Sequence, residues 1–475
     1  MALKTTGLDA TNAMPRAGLV FGESLSPEPL NDHPHRRFYF SVNEKFVLAL
    51  AIAVAWTCLS VWLSRYWVRD LAAVISWPGA LIAIIFIAYV PGFMNAFLVG
   101  TILFDKRPTH RHPSFYPGLS VLVACYNEAA NIRDTLTSLA AQSYPGDLEV
   151  LILNDGSTDT TSAEARAAIL DLSFNAHTRV EVIDFAQNAG KASVLNKGLA
   201  LSTHDLIVTL DGDSWLKSDA LAQIVERLLA DPPKTEAVAG SVLVRNSREN
   251  LLTRAQEWDY FHGIAAVKRM QSMYHGTLVA QGAFSLYRRR ALEAAGDWPE
   301  CVGEDIVVSW AILKAGDRIG YAEDALAFTN VPANIRQFAQ QRRRWSRGLV
   351  EAFRAHGALL FKPRLTTLFI WWNLCFLPLD LVYTFVFIPG LILALFGIYY
   401  IAGPMTLAVL PLAALWNLFV FQVQRGMFHN QGLKVRQNFG GFLFYALGYS
   451  LMMQPICVWG YVTEAMGSRK TWGTK

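Results

Sequence analysis

The stretch LIVTLDGDSW, residues 206–215, combines an apolar run with two carboxylates that are one glycine apart. Leu206–Leu210 predicts a buried strand, because its residues are apolar almost without interruption. Asp211 and Asp213 would then emerge at the carboxyl end of that strand, with their side chains on the same side. Charge beside a buried strand is costly, so the pattern predicts a positively charged partner for these acids.

Similar apolar runs recur along the chain and alternate with segments that are compatible with helices. The strand-like runs are SVLVACYN (120–127), DLEVLILND (147–155) and RVEVIDF (179–185). Helix-compatible segments such as EAANIRDTLTSLAAQ (128–142) and SDALAQIVERLLA (218–230) follow them. This alternation predicts an α/β fold with βαβ units, a mainly parallel sheet and ligand binding at the carboxyl ends of the strands.

The composition predicts a membrane protein. The 475-residue chain is 53% hydrophobic and only 17% charged, and its longest apolar runs lie towards both ends. A formal net charge of +4, without a basic and aromatic array in the sequence, argues against nucleic acid as a partner. The five cysteines are too scattered for a disulfide framework or a zinc site, so a reducing, cytoplasmic polar domain is expected.

Two apolar stretches precede the polar block and predict two transmembrane helices. The first covers about Phe46–Leu63 and the second lies within Trp77–Phe104, each long enough to cross a bilayer core. The segment SRYWVRD (64–70) is expected to be a short turn between them. Residues 1–45 are predicted to form a flexible cytoplasmic tail, and residues 105–362 a polar domain.

After the polar block, residues 363–463 are predicted to hold an interfacial segment and about three transmembrane helices. The helices are expected near 379–402, 403–423 and 440–463, and a tail follows at 464–475. Five spans in all would put the basic tail outside, against the positive-inside tendency, whereas six would put it inside. The lengths favour five.

Polar residues within these apolar segments suggest a pathway across the membrane. Asp380, Gln422 and Gln454 would be costly in lipid, and such residues often mark a route for a substrate. Hydrogen bonding between helices is the alternative, and Asp380 could also lie at the membrane interface.

Two motifs end predicted strands with carboxylates. The Asp211 and Asp213 pair suits a hard divalent cation that also binds phosphate oxygens, although an Asp-Gly turn followed by a helix cap would look the same. Asp155 in NDGSTDTT (154–161) lies where a parallel strand delivers ligand-binding side chains, and Gly156 permits the turn. A loop that only caps the next helix is the alternative for this motif.

The stretch QNAGKASVLNKG (187–198) resembles a phosphate-binding loop only superficially. A Walker-type loop needs a glycine where Phe185 stands. It also needs a serine or threonine directly after the lysine, whereas here the serine comes one position later. Lys191 could still meet an anionic nucleotide near a helix start, or it could be a solvated helix lysine.

Two further motifs carry acids and arginines. Asp305 in VGEDIVVSW (302–310) is a candidate general base, unless the acids only complement a helix dipole. In QQRRRWSRG (340–348), the arginines supply donors for phosphate and Trp345 a flat face for a sugar ring. A positive patch flanking the membrane would explain the arginines but not their order with Gln341 and Trp345.

Taken together and in this order, the motifs resemble those of family 2 glycosyltransferases, in particular the membrane-embedded processive polysaccharide synthases. The resemblance covers about residues 117–348 and includes VACYNEAANI (123–132), GED and the Q-x-x-R-W pattern at 341–345. It implies a cytoplasmic GT-A-type, Rossmann-like domain between N-terminal and C-terminal transmembrane helices, and inverting transfer from a UDP-sugar.

The resemblance also implies roles for individual residues. Asp305 would be the catalytic base, and Asp213 with Asp211 would bind Mg²⁺ or Mn²⁺. The substrate-binding residues would be Glu128, Asp155, Lys191, Asp211, Gln341, Arg342, Arg344 and Trp345. Asp155 would contact the uridine, with Lys191 and Asp211 near the nucleotide. Gln341, Arg342, Arg344 and Trp345 would hold the acceptor end and the diphosphate.

Within the family, the chain looks most like bacterial poly-N-acetylglucosamine synthases and their chitin-oligosaccharide and hyaluronan relatives. This favours UDP-N-acetylglucosamine as donor, a growing β-linked exopolysaccharide as acceptor, and a multi-pass location in the inner (plasma) membrane. It leaves room for a small membrane regulatory subunit as partner. The alternatives are a non-processive transferase that adds one sugar to a membrane lipid, and a transporter or scaffold with a degenerate transferase domain.

Overall fold

The chain consists of a polar α/β domain between two sets of apolar helices. A computed structural model describes residues 20–21, 40–105 and 113–468. Within these ranges, four helices are long and apolar enough to cross a membrane: Val42–Val74, Trp77–Leu103, Thr367–Leu395 and Phe439–Ala465. Most of the predicted tail at 1–45, and positions 469–475 of the predicted C-terminal tail, lie outside the described residues.

The two N-terminal helices form an antiparallel pair. Helix α1 is Val42–Val74; the second helix is α2 (Trp77–Ile84), a π-helical turn (Ile85–Tyr89) and α3 (Val90–Leu103). SRYWVRD (64–70) was expected to be a turn, but it continues α1 because it contains no glycine or proline. The chain reverses at Ser76, where φ is +154° and the next residues are Trp-Pro.

The strands form one large sheet and one short pair. They are β1 Val20–Phe21, β2 Leu119–Cys125, β3 Leu148–Asn154, β4 Thr178–Asp184, β5 Leu206–Asp211, β6 Trp215–Leu216, β7 Thr235–Val244, β8 Phe284–Arg288, β9 Arg318–Thr329 and β10 Leu433–Lys434. The large sheet has the order β4-β3-β2-β5-β8-β7-β9-β6, and β1 pairs with β10. The strands predicted from the sequence are β2 to β5, and all four are parallel.

The other half of the sheet is mixed, which the sequence did not predict. Strand β8 is antiparallel to both β5 and β7, and β6 is antiparallel to β9. Hydrophobic runs do not encode strand direction, and Glu323 and Asp324 interrupt the apolar pattern of β9. The sheet is therefore parallel only where βαβ units follow one another.

Helices cover both faces of the sheet. They are α4 Ile132–Ala140, α5 Thr161–Asp171, α6 Lys191–Leu201, α7 Ala220–Ala230, α8 Leu251–Trp258, α9 Val267–Met273, α10 Arg289–Ala295, α11 Glu304–Ala315 and α12 Ile335–His356. A π-helical segment, Asp259–Ala266, joins α8 and α9. In β2, alternate residues enter two separate cores, with Val121 and Val123 on one face and Leu122 and Ala124 on the other. Burial on both faces explains the continuous apolar runs.

The C-terminal helices begin after a short 3₁₀ turn at Gly357–Phe361. They are α13 Thr367–Val382, α14 Ile388–Leu395, α15 Pro404–Asn430, α16 Phe439–Phe444 and α17 Ser450–Ala465. Two π-helical turns, Tyr383–Phe387 and Tyr445–Tyr449, make α13 continuous with α14 and α16 with α17. FIWWNLCFLP therefore belongs to the first C-terminal span, which starts earlier than residue 379. Helix α15 lies where the 403–423 span was expected, and its crossing of a membrane stays a prediction.

Charged side chains fasten α12 to the last apolar helix. The buried carboxylate of Glu464 accepts hydrogen bonds from Arg347 Nε at 3.0 Å and from Arg354 Nη1 at 2.7 Å. Glu464 lies near the end of α17, whereas both arginines lie on α12. The polar domain is thus joined to the membrane-type helices by side chains as well as by the chain itself.

The polar residues expected to mark a pathway have different surroundings. Asp380 is buried and accepts a hydrogen bond of 2.8 Å from the Tyr461 hydroxyl, which joins α13 to α17. Gln454 is also buried, whereas Gln422 is exposed. Asp380 therefore follows the helix–helix alternative, and the export role of these residues stays a prediction.

Candidate functional site

The predicted strand ends meet at one edge of the sheet. Cys125, the last residue of β2, pairs in register with Asn154 of β3, and Ala124 pairs with Asp211 of β5. The loops that follow these strands therefore leave the sheet side by side. The edge holds the motifs that the sequence analysis selected.

Asp155 shapes the loop that leads to Lys191. It is buried, and its carboxylate accepts backbone N–H groups of Ala189 at 2.8 Å and Gly190 at 2.9 Å. Gly156 has a φ of +63°, so it permits the turn as predicted. Helix α6 begins at Lys191 because this loop is held in place. A uridine contact for Asp155 stays a prediction.

Lys191 lies between two acids from different motifs. Its buried ammonium group contacts Asp211 Oδ1 and lies 3.8 Å from Glu304 Oε1. A Cβ atom on Gly282 would lie 2.6 Å from Lys191 Nζ, so the glycine makes room for the lysine. The solvated-lysine alternative for Lys191 is therefore wrong, and the positive partner predicted for Asp211 is a residue of the chain itself.

The charges around Lys191 favour a charged lysine and a protonated Glu304. Burial alone would lower the pKa of Lys191, but Asp211, Glu304 and Asp305 raise it above its ordinary value. Burial raises the pKa of Glu304 to about 7, against the opposing effect of Lys191. The direction for Glu304 follows from the distances, because Lys191 is in direct contact with Asp211 and farther from Glu304.

Glu304 predicts that stability falls as the pH rises towards neutrality. The folded chain keeps the Glu304 proton above the ordinary pKa of 4.5, so it binds more protons than the unfolded chain between about pH 4.5 and 7. The free energy of unfolding should decrease across this interval by on the order of 1–3 kcal/mol. Melting temperatures in detergent at both pH values should show this decrease in the wild type and a smaller one in Glu304→Gln. Glu293→Gln, at an exposed position of α10, is the control; a wild-type slope in Glu304→Gln contradicts the prediction.

Asp213 follows Gly212 in the chain, and the side chain of Glu128 lies close to the same glycine. Thr329 Oγ1 donates a hydrogen bond of 3.1 Å to Asp213 Oδ1. A Cβ on Gly212 would lie 2.7 Å from Cys125 Sγ and 3.2 Å from Glu128 Cγ. A side chain at this position would collide with Cys125 and Glu128, so the packing of the chain itself requires the glycine.

The acids fit a cation that arrives with phosphate better than a complete protein site. Among the described residues, no three His, Cys, Asp or Glu side chains gather to hold a metal ion. Mg²⁺ usually takes one or two carboxylates and completes its shell with water and substrate phosphates. Asp213, with Asp211 two residues before it, offers such a partial set.

Asp305 lies in the first turn of α11. Its Oδ2 accepts the N–H of Gly282 at 3.2 Å, and its Oδ1 accepts the N–H of Ile306 at 2.7 Å. The N-cap of α11 is Gly303, which makes no side-chain hydrogen bond to the helix. Asp305 is half-buried and adjoins the Lys191 group through Gly282.

The loop before α11 is locked to α12. Glu351 Oε2 accepts the N–H groups of Val302 at 3.0 Å and Gly303 at 2.9 Å. A Cβ on Gly303 would lie 2.4 Å from the Cα of Gly348, so the two backbones touch. These contacts therefore fix the position of the GED motif relative to the arginine-rich helix α12.

The arginine-rich motif lies on α12 and presents different residues in different directions. Gln341, Arg344 and Trp345 share one helical face at i, i+3 and i+4. Burial lowers the pKa of Arg344, whereas Glu304, Asp211 and Asp305 counteract that shift, so Arg344 faces the acids. Within the described chain, the buried Arg344 Nε and Gln341 Oε1 atoms have no hydrogen-bond partner.

Arg342 differs from its neighbours in this motif. It is only 2% exposed. Its guanidinium pairs with Asp259 Oδ2 at 2.8 Å, whereas Arg344 lies near Asp211 and Asp305. Direct contact of Arg342 with a diphosphate or sugar, which the sequence analysis expected, stays a prediction. Trp345, in contrast, is 43% exposed.

Several residues that shape the site were not selected from the sequence. They are Glu304, Gly282, Glu351, Gly348 and Asp259. Glu304 could have been recognised, because it is the first acid of the GED motif. The others act through contacts between segments far apart in the chain, for which a single sequence carries no signal.

Comparison with known proteins agrees with this architecture. Residues 120–296 match the sequence model of glycosyl transferase family 2. The poly-beta-1,6-N-acetyl-D-glucosamine synthase of Staphylococcus epidermidis is 32% identical over 274 residues, which cover 55% of this chain and 64% of that protein. The enzyme of the same name from Staphylococcus aureus strain COL is 32% identical over 275 residues, with the same coverage. The chain thus aligns with less than two thirds of these relatives.

A solved structure shares the fold. A mannosyltransferase from Pyrobaculum calidifontis, in complex with GDP-Man and Mn²⁺, superposes with a TM-score of 0.57 at 22% identity. The match covers 82% of this chain and 99% of that one. The expected GT-A-type architecture with flanking apolar helices is confirmed at the level of the fold.

Proposed function

We propose that this chain is an inverting, processive polysaccharide synthase that uses a UDP-sugar, because residues 120–296 match the sequence model of glycosyl transferase family 2. It would add sugars to a β-linked polymer and export the polymer across the inner (plasma) membrane. The catalytic domain would face the cytoplasm. The relatives at 32% identity are named for poly-N-acetylglucosamine synthesis, which supports UDP-N-acetylglucosamine as the donor.

One observation carries the proposal: acids from two motifs and two basic residues converge at the carboxyl edge of the parallel strands. Lys191 contacts Asp211 and neighbours Glu304, and Arg344 is close enough to Asp211 and Asp305 to feel their charge. Positive groups aimed at one point stabilise negative charge that develops on a leaving group. A departing diphosphate is such a group.

The donor would bind across the ends of β3 and β5. Arg344, whose Nε atom is buried without a partner in the described chain, would donate to the diphosphate, and Lys191 would add charge beside it. Asp213 and Asp211 would hold Mg²⁺ or Mn²⁺, which supplies further positive charge to the diphosphate. Glu128, beside Gly212, would line the same side of the donor.

Asp305 would act as the general base. The N–H groups of Gly282 and Ile306 fix its carboxylate, which can accept the proton of the acceptor hydroxyl. The acceptor oxygen would then attack the anomeric carbon while the bond to UDP breaks, with inversion in one displacement. The exposed surface of Trp345 would stack on the acceptor sugar, and Gln341 would bind its hydroxyl groups.

The apolar helices support a location in the membrane. Two candidate spans precede the catalytic domain and two follow it, so the active site lies beside helices that could conduct the product. A small regulatory membrane subunit remains part of the proposal as a partner.

A donor screen with purified protein in lipid nanodiscs tests the proposal. We expect UDP release and a long polymer with UDP-N-acetylglucosamine and a divalent cation, and little of either with UDP-glucose. A requirement for added UDP-glucuronate would instead indicate a hyaluronan-type product. No UDP release with any donor would refute the proposed function.

The alternative is a transferase that adds one sugar to a membrane lipid, because the same helices could admit a lipid acceptor. Product size separates the two functions. A single labelled sugar that extracts with lipid, without a polymer on a gel, would establish the alternative.

A further inference from the structure

A cluster of four side chains connects the arginine-rich helix α12 to the last candidate membrane span, Phe439–Ala465. Its members, called here the Arg342 cluster, are Asp259, Arg342, Trp345 and Tyr449. Arg342 Nη2 lies 2.8 Å from Asp259 Oδ2 and donates to the Tyr449 hydroxyl at 2.7 Å. The Tyr449 hydroxyl donates in turn to Asp259 Oδ2 at 2.9 Å. The three polar groups therefore form a closed triangle.

The triangle joins three separate elements. Asp259 opens the π-helical segment between α8 and α9, and Arg342 belongs to α12. Tyr449 ends the π-helical turn inside the candidate membrane span Phe439–Ala465. A change in the position of any one element would break at least one of the three contacts.

Arg342 also supports the indole of Trp345. Its Cζ lies 4.0 Å from the centre of the Trp345 ring, which is a close cation–π distance. On the Trp345 ring, the Tyr260 ring is a second neighbour, with 6.3 Å between the two ring centres. Arg342 thus contacts part of the indole, while the exposed part of Trp345 is available to a sugar.

Helix geometry separates Arg342 from the reacting groups. Residues 342 and 344 differ by about 160° around a helix of 3.6 residues per turn, so Arg342 and Arg344 face nearly opposite ways. Arg342 is buried, and its Nη2 contacts Asp259 and Tyr449, whereas Arg344 lies near Asp211 and Asp305. Arg342 can therefore act on the site through its contact with Trp345.

Stability alone is a weak reason for such an arrangement. A buried ion pair must repay the desolvation of both charges, and apolar replacements are often as stable. Its directional contacts, in contrast, fix a geometry. The planar guanidinium gains most from this, because it can hydrogen-bond in its plane and stack with its face at once.

We infer that Asp259 and Tyr449 are positioning residues that hold Arg342 so that it sets the orientation of Trp345 in the acceptor site. The last apolar helix thereby takes part in acceptor binding without touching the sugar. The inference rests on the proposed function, because it assigns the free surface of Trp345 to the acceptor.

The test separates acceptor binding from donor binding. We expect Tyr449→Phe and Asp259→Asn each to raise the KM for an added N-acetylglucosamine oligosaccharide by about threefold to tenfold, the loss expected for one or two hydrogen bonds. The KM for UDP-N-acetylglucosamine should change by less than about twofold, on the scale of a minor contact. The double variant should raise the acceptor KM by less than the product of the two single effects, because both act through Arg342.

Tyr116→Phe is the matched control. It removes a hydrogen bond from a tyrosine to a carboxylate, that of Glu226, at a distance from the cluster. Wild-type KM for the oligosaccharide in both cluster variants would overturn the inference, and so would an equal rise in both KM values. Direct binding of the oligosaccharide should be measured without donor, because this measurement does not depend on turnover. In each variant we expect the Kd for the oligosaccharide to rise by the same factor as its KM. Failure of the proposed function would show in the wild type itself, as no UDP release and no oligosaccharide binding.

Discussion

Replacing Asp305 with asparagine should lower the rate of polymer formation by roughly 10²–10⁴-fold, the usual contribution of a general base. The substitution keeps the size of the side chain and an oxygen that can accept the N–H of Gly282, but the amide cannot take a proton from an acceptor hydroxyl. Initial rates of UDP release in the presence of acceptor measure the effect.

Nucleotide affinity provides the check on this assignment. Asp305→Asn should bind UDP about as tightly as the wild type, since Lys191, Asp211 and Arg344 are unchanged. Glu300→Gln, at an exposed position before α11, should retain full activity and serves as the control. Intact polymer formation in Asp305→Asn, or loss of UDP binding without a specific loss of turnover, would remove Asp305 from the role of base.

Gly348→Ala should be the most damaging substitution outside the reacting groups. Its Cβ would lie 2.8 Å from the Cα of Gly303, so one of the two backbones must move. Such overpacking typically costs about 1–3 kcal/mol of stability. The displaced loop leads directly into the first turn of α11, which carries Asp305, and a misplacement of about 1 Å can cost on the order of 10²-fold in rate.

Gly357→Ala is the matched control, because it makes the same substitution at the end of the same helix, where a Cβ meets no atom within 4 Å. Rates of polymer formation and melting temperatures should be measured for both variants. The expected result is a lower melting temperature and a much lower rate for Gly348→Ala, with both values near wild type for Gly357→Ala. A fully active Gly348→Ala would show that α11 and α12 need not touch.

The sequence predicted the parallel half of the sheet because each strand there is an unbroken apolar run followed by a helix. Strand β9 was missed because Glu323 and Asp324 interrupt its pattern. Strand β8 was not among the predicted strands, and periodicity could not have given its direction, because it is the same for both directions. Membrane helices were recognised by length and hydropathy, but SRYWVRD was assigned to a turn on its polarity alone.

Within the candidate site, motif residues were found where strand ends make position predictable. Asp155, Lys191, Asp211 and Asp305 all lie at the expected edge. Arg342 was grouped with Gln341 and Arg344 because the three residues are close in the sequence, although they point in different directions on the helix. Its surroundings depend on Asp259 and Tyr449, which are far from it in the chain and come near it only in the folded protein.

The contacts of Glu464 also bear on how the protein can be studied in pieces. Cutting the chain after α12 would remove the carboxylate that Arg347 and Arg354 share. Arg347 is buried in the intact chain, and the surface it packs against would become open to solvent. An isolated catalytic domain would therefore expose an unbalanced, partly apolar face and tend to aggregate. Reconstitution of the undivided polypeptide in lipid is the practical route to its enzymology.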